Sequence, residues 1–221
     1  MGHPSYDVKG DAKFLGEDLL TLDSTERAKR GLFLAFQYPK EIAGVSLRNI
    51  LFAAARAQRA ARGDSTVLSP VKFQKELEAA MKELRMDPAF AERAVNRGFS
   101  GGEKKKAEVL QMTILKPKLA LLDETDSGLD IDALKIVAEG VNRMRSPAYA
   151  GASVGRKDFS ALIVTHYARL LHHVVPDRVH VMVRGTIVES GGPELAEELE
   201  KNGYVKYGVT EQLNASEQSE A

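Results

Sequence analysis

Between residues 102 and 174 the chain alternates helix-patterned stretches with short apolar runs: a helix near 102–115, KLALLD at 118–123, a helix near 131–145, SALIVT at 160–165 and a helix near 167–174. Apolar runs this short, with a helix between them, cannot pair through tight turns. They are expected to lie parallel in one sheet, joined by crossover helices. An α/β fold of this kind binds its ligands beyond the carboxyl ends of the strands, so the residues leaving each run are the first candidates for chemistry.

Upstream the pattern is different. Residues 11–15 and 30–36 (RGLFLAF) read as strands, with the turn-prone GEDLLTLDSTERAKR between them, and the second strand runs out at Gln37-Tyr38-Pro39. From Val45 onward Leu47, Ile50, Leu51, Ala54 and Ala55, and later Phe73, Leu77, Ala80, Met81 and Leu84, recur at helical spacing. Residues 45–95 are therefore expected to form a helical subdomain, interrupted by the loop ARGDSTVLSP, within a core made of residues 1–44 and 96–209. RVHVMVRGTIVES at 178–190 predicts a hairpin turning at Arg184-Gly185, and the polar stretch at 210–221 is expected to be a disordered tail.

The 31 basic and 31 acidic residues balance, giving no overall charge that would draw nucleic acid or an anionic membrane. No apolar run reaches the roughly 18 residues of a membrane-spanning helix, and the N-terminus lacks the pattern of a signal peptide, so a cytoplasmic protein without direct membrane insertion is expected. With no cysteine in the chain, disulfides and cysteine-ligated zinc or iron–sulfur sites within it are excluded.

Four groups carry candidate chemistry, two of them, Asp123-Glu124 and His166, at the expected sheet edge. KLALLD ends in Asp123, followed by Glu124: the first acid can hold Mg²⁺, and the second can orient or deprotonate a water attacking a γ-phosphate, although an acidic pair after a strand also makes an ordinary solvated turn. Ser100, Gly101 and Gly102, with Glu103, precede a helix; a serine cap with two glycines leaves backbone N–H groups open to an anion, or is only a cap. Lys104, Lys105 and Lys106 add positive charge there, and a solvated helix face is the expected place for most of them. Asp130 can cap the helix near 131, whose stripe is Leu134, Val137, Val141 and Met144, and His166 leaves the SALIVT run at the same edge.

The order of these pieces resembles the ATP-binding cassette (ABC) ATPases, a P-loop NTPase-like α/β core with an inserted helical lobe. The strings GFSGGEKKKAEVLQ, DETDSGLDIDALK, IVTHYARLL and PDRVHVMVRGTIVESGG are similar to the SufC-type ATPases of the Suf iron–sulfur cluster assembly machinery, a likeness running from about Tyr6 to Tyr207. It implies ATP and Mg²⁺ as cofactors. By position, Gln37 resembles the Q-loop glutamine that senses γ-phosphate and Mg²⁺, and Ser100, Gly101, Gly102 and Glu103 the signature motif that contacts ATP across a transient head-to-tail homodimer. Asp123 resembles the Walker B acid, Glu124 the catalytic base, Asp130 the D-loop aspartate and His166 the switch histidine. The implied partners are the scaffold proteins SufB and SufD, with Tyr38–Leu51 the expected contact region by analogy with other cassettes.

One family element has no counterpart: no G-x-x-x-x-G-K-[ST] string occurs, and GASVGRKD at 151–158 has the wrong spacing and precedes a strand. The resemblance implies a cassette lacking its first strands and Walker A loop, with hydrolysis dependent on that segment and an exposed sheet edge where it would pack. Two other readings share these motifs: a non-catalytic module that binds Suf-type partners, and the ATPase component of an ABC transporter.

Overall fold

The computed structural model describes residues 6–145, 159–166 and 168–208, arranged as two compact units, one up to Thr165 and one from His166. The expectations for the 151–158 string and the 210–221 tail lie outside these residues.

The first unit is built on a three-stranded parallel sheet in the order β3 (Leu32–Ala35), β6 (Leu119–Asp123), β7 (Ser160–Val164). Leu32 is level with Leu119, and Leu119 with Ser160, so all three strands end together. Residues 36–37, 123–124 and 165 are thereby delivered to one edge. β6 lies in the middle, and its Ala120 and Leu122 are 0 % and 1 % exposed. β7 contrasts sharply: Leu162 and Val164 are 54 % and 49 % exposed, and among the described residues no strand pairs with its outer edge.

Two helices flank the sheet connections. α4 (Gly101–Leu115) leads into β6, and α5 (Ile131–Arg145) follows it. Both fall where the sequence places helices, and α5 buries its predicted stripe Leu134, Val137, Val141 and Met144. They meet at Gly140, where a Cβ would fall inside the Val109 Cγ1 methyl, so only glycine allows this approach.

The predicted helical stretch consists of α2 (Leu47–Ala61) and α3 (Pro70–Glu83). Ser46 and Ser69 accept hydrogen bonds from the Asn49 and Lys72 N–H groups, and Pro70 occupies the first turn, where its missing donor costs nothing. Leu47, Leu51, Leu77 and Met81 lie under 2 % exposed, and Phe52 packs edge-on against Phe73 at 5.1 Å.

Several elements differ from the sequence reading. Instead of one strand over 11–15 there is a small hairpin, β1 (Lys13–Phe14) with β2 (Glu17–Asp18), and the stretch read as turns contains α1 (Ser24–Lys29), capped by Asp23. The helical stretch is bracketed by an unforeseen antiparallel pair, β4 (Ile42–Ser46) with β5 (Ala94–Val95). In the second unit the described helix is short, α6 (Ala168–Leu171). It is followed by the predicted hairpin, β8 (Val179–Val183) and β9 (Thr186–Gly191), with Arg184 and Gly185 both at positive φ in the turn. α7 (Pro193–Asn202) completes this unit, in which Leu170, Val174, Val181 and Leu195 are buried. Among the described residues no helix is long and apolar enough to cross a membrane.

Candidate functional site

The common strand edge brings Gln37 and Glu124 together. Gln37 lies two residues beyond β3, and its Nε2 donates to Glu124 Oε2 at 2.6 Å, linking positions 87 residues apart in sequence. Glu124 follows β6 directly in a left-handed conformation, φ 43°, that a non-glycine residue adopts only when its surroundings compel it. Its N–H is held by the Val164 carbonyl at 2.9 Å, and its carbonyl accepts from Ser127 N–H at 3.1 Å, so the carboxylate leaves the sheet at a fixed angle. Asp123, the last residue of β6, is exposed at the same edge.

Behind this pair the turn is buried. Thr125 and Asp126 are each 3 % exposed, and Asp126 Oδ2 accepts the Thr165 hydroxyl at 2.6 Å, tying the exit of β6 to the exit of β7. His166 is exposed and opens the second unit.

The Ser100 turn forms a complete capping box. Ser100 Oγ accepts from Glu103 N–H at 3.3 Å, and Glu103 Oε2 accepts from Ser100 N–H at 2.7 Å, which holds the Glu103 carboxyl below its ordinary pKa. Gly101 has open space where a Cβ would stand, so the first N–H groups of α4 are reachable. The turn is braced from behind by residues the sequence reading passed over. Arg93 lies over the rings of Phe90 and Phe99 at 4.6 and 5.0 Å and donates to the carbonyls of Arg97 and Gly98 at 3.3 and 3.1 Å. The two rings meet edge-on at 4.6 Å. Asn96, buried at φ 60°, donates to the Lys40 carbonyl at 2.9 Å, joining this loop to the chain just after Gln37. Asp130 takes its cap role: Oδ1 accepts from Ala133 N–H at 2.7 Å.

Lys105 is the exception to the solvated face expected for most of the three lysines, while Lys104 and Lys106 are half-buried. It is 4 % exposed, and Nζ donates to the Phe36 carbonyl at 2.6 Å and lies 3.1 Å from Glu108 Oε2. Glu108 Oε1 accepts the Phe36 N–H at 3.0 Å. Burial pushes the Glu108 carboxyl above its ordinary pKa, against the opposing pull of Lys105. The three consecutive lysines conceal a periodicity in which every i, i+3 pair shares a face, and that spacing from Lys105 to Glu108 was the available signal.

For a divalent cation, the described residues include no cluster of three histidine or carboxylate groups. Asp123 leaves its carboxylate exposed at this edge, and Mg²⁺ carried by a nucleotide takes most of its ligands from phosphates and water, so it needs only one or two protein oxygens.

A parallel sheet with an acidic pair and a glutamine at its carboxyl edge, and a serine-capped helix opening on two glycines in the same unit, defines an α/β nucleotide-hydrolase cassette. The sequence profile of the family described as ABC transporter matches residues 3–127. The chain is 50% identical over 205 residues to vegetative protein 296 of Bacillus subtilis, and 51% identical over 204 residues to the probable ATP-dependent transporter ycf16 of Cyanophora paradoxa. Each alignment covers 92% of this chain and 74% of the relative. A dimeric post-hydrolysis state of the ATP-binding cassette MJ0796, bound to ADP and Pi, has the same fold, with a TM-score of 0.66 at 14% identity over 84% of this chain and 74% of that one. The chain belongs to the ABC ATPase family.

Proposed function

We propose that this chain is a SufC-type ATPase whose hydrolysis of ATP at a transient head-to-tail homodimer drives remodelling of the scaffold proteins SufB and SufD during iron–sulfur cluster assembly. The observation that supports the ATPase reading best is the 2.6 Å contact between Gln37 and Glu124, the two residues that in this reading would act as γ-phosphate sensor and base. The Suf assignment is supported by the strings around Ser100, Asp123–Asp130 and 176–192. The absence of cysteine agrees with a subunit that powers assembly without ligating iron through thiolates.

In this reading Glu124 orients the attacking water and accepts its proton, while Gln37 holds the Glu124 carboxylate until a γ-phosphate competes for the amide. Mg²⁺, held by Asp123 and Gln37, would neutralise charge on the β- and γ-phosphates. The N–H groups of Gly101 and Gly102 face the nucleotide of the opposite subunit, aided by the positive end of the α4 dipole, with Ser100 and Glu103 fixing the turn. Asp130 caps α5 beside the dimer partner, and His166 contacts the γ-phosphate.

A second reading has specific support, because five relatives of Streptococcus pyogenes that match 100% of this chain at 47% identity are named probable ABC transporter ATP-binding proteins. Affinity purification of the tagged chain from its own cells decides between the two. Recovery of SufB and SufD supports the assembly role, and recovery of a membrane permease in their place overturns it.

A further inference from the structure

We propose that Lys105 and Glu108 are positioning residues: a buried ion pair that grips both polar atoms of the Phe36 peptide and thereby aims the adjoining Gln37 amide at Glu124. The purpose of the grip rests on the ATPase reading above, but the geometry does not.

Phe36 is the first residue past β3, where the strand ladder no longer holds the backbone. Its side chain cannot anchor the position by burial, since Phe36 is 54 % exposed. What holds it is the peptide itself: N–H to Glu108 Oε1 at 3.0 Å, and C=O from Lys105 Nζ at 2.6 Å. The two charged groups are 3.1 Å apart, on one face of α4, with side chains 5 % and 7 % exposed.

Such a pair is a poor way to obtain stability alone. Desolvating two charges costs several kcal/mol, and apolar residues of the same volume usually do as well or better. An apolar pair, however, could not bond to the Phe36 N–H and C=O. The next side chain is Gln37, whose 2.6 Å bond to Glu124 requires its backbone to be placed within a fraction of an ångström. The chain of contacts runs from the second turn of α4, through the end of β3, to the residue after β6. It therefore connects the helix headed by the Ser100 turn to the proposed base, through residues that touch no reacting atom.

The test reads the Gln37 side-chain amide by NMR in the nucleotide-free 221-residue chain. Glu124→Ala, which removes the side-chain acceptor altogether, supplies the reference signal for a released Gln37. Lys105→Met/Glu108→Gln keeps the volume of the pair and an acceptor for the Phe36 N–H, but loses the grip on the Phe36 carbonyl. The double variant is expected to unfold cooperatively, while its Gln37 signal moves to the released position and exchanges with water about tenfold faster. A Gln37 signal and exchange rate equal to those of the native chain would overturn the proposal. If the double variant does not fold, the native chain decides through hydrogen exchange in rising, sub-denaturing urea. Phe36 N–H and the Gln37 amide opening together supports the grip, and Gln37 opening while Phe36 stays protected refutes it. Because no nucleotide is present, a chain with an intact grip and no ATPase activity sinks the ATPase reading alone, and an active chain whose Gln37 ignores the double variant sinks the grip alone.

Discussion

Gly140→Ala is expected to destabilise the first unit although it replaces the poorest helix former after proline with the best. In an exposed helix the change would gain about 1 kcal/mol. Here the new methyl would overlap Val109 Cγ1, and neither helix has room to yield, since Val109 and Val141 are both 1 % exposed and Leu110 is 0 % exposed. Overpacking a core of this kind costs roughly 1–3 kcal/mol, so the propensity gain is offset and a net loss of up to about 2 kcal/mol remains. In a domain of this size that corresponds to a fall in Tm of up to about 8 °C. Urea or thermal unfolding followed by circular dichroism measures it. Val109→Ala alone should cost roughly 1–3 kcal/mol for the cavity it leaves. Combined with Gly140→Ala, the added methyl fills vacated space, and the double variant should be more stable than the sum of the single effects by at least about 1 kcal/mol. Strict additivity, or a Gly140→Ala chain more stable than native, would show that α4 and α5 do not approach as described. The contact matters beyond stability, because these helices carry the Ser100 turn and the Asp130 cap at their starts.

The same unfolding assay tests the other braces. Ser100→Ala removes the acceptor of a helix cap and should cost about 1 kcal/mol, with Ser100→Asn restoring most of it. Glu103 has its pKa lowered by the Ser100 N–H, so its contribution is present above the ordinary carboxyl pKa and is lost as pH falls through the lowered value. Glu103→Gln should accordingly destabilise near pH 7 by less than about 1 kcal/mol, with the difference fading as pH falls through the lowered value; a difference growing in acid would reverse the sign and refute the assignment. Arg93→Ala removes two rings' stacking partner and two carbonyl contacts, and the Phe99 ring environment, read by NMR, should change while β6 remains protected from hydrogen exchange.

Much of the sheet edge was legible because it is local. KLALLD is an apolar run too short for a helix, and its acidic exit marks the strand end; the structure sets β6 at Leu119–Asp123. Asp130 at the start of the α5 stripe was readable as a cap for the same reason. Non-local pairings left no trace of comparable strength. β4 and β5 join Ile42 to Val95 across the whole helical stretch, and β5 is two residues long, below what any periodicity can reveal. α7 carries its own signals, Pro193 in the first turn and Leu195 and Leu199 at i, i+4, but follows so closely on β9 that its start merges with the strand. Lys105 and Glu108 were hidden for a different reason. Charge in sequence argues for solvent, and only the fold shows that the Phe36 peptide supplies the compensating partners that let both be buried.

In the proposed function Gln37 and Glu124 belong to an ATP-hydrolysing site with Glu124 as its base. The decisive experiment is ATP binding and hydrolysis by the 221-residue chain, measured beside a form extended upstream in its native reading frame and the Glu124→Gln version of each. The extended form is expected to bind and turn over ATP, and its Glu124→Gln version to bind but hydrolyse at least about 100-fold more slowly. Unchanged turnover in Glu124→Gln, or no nucleotide binding by either form, would contradict it.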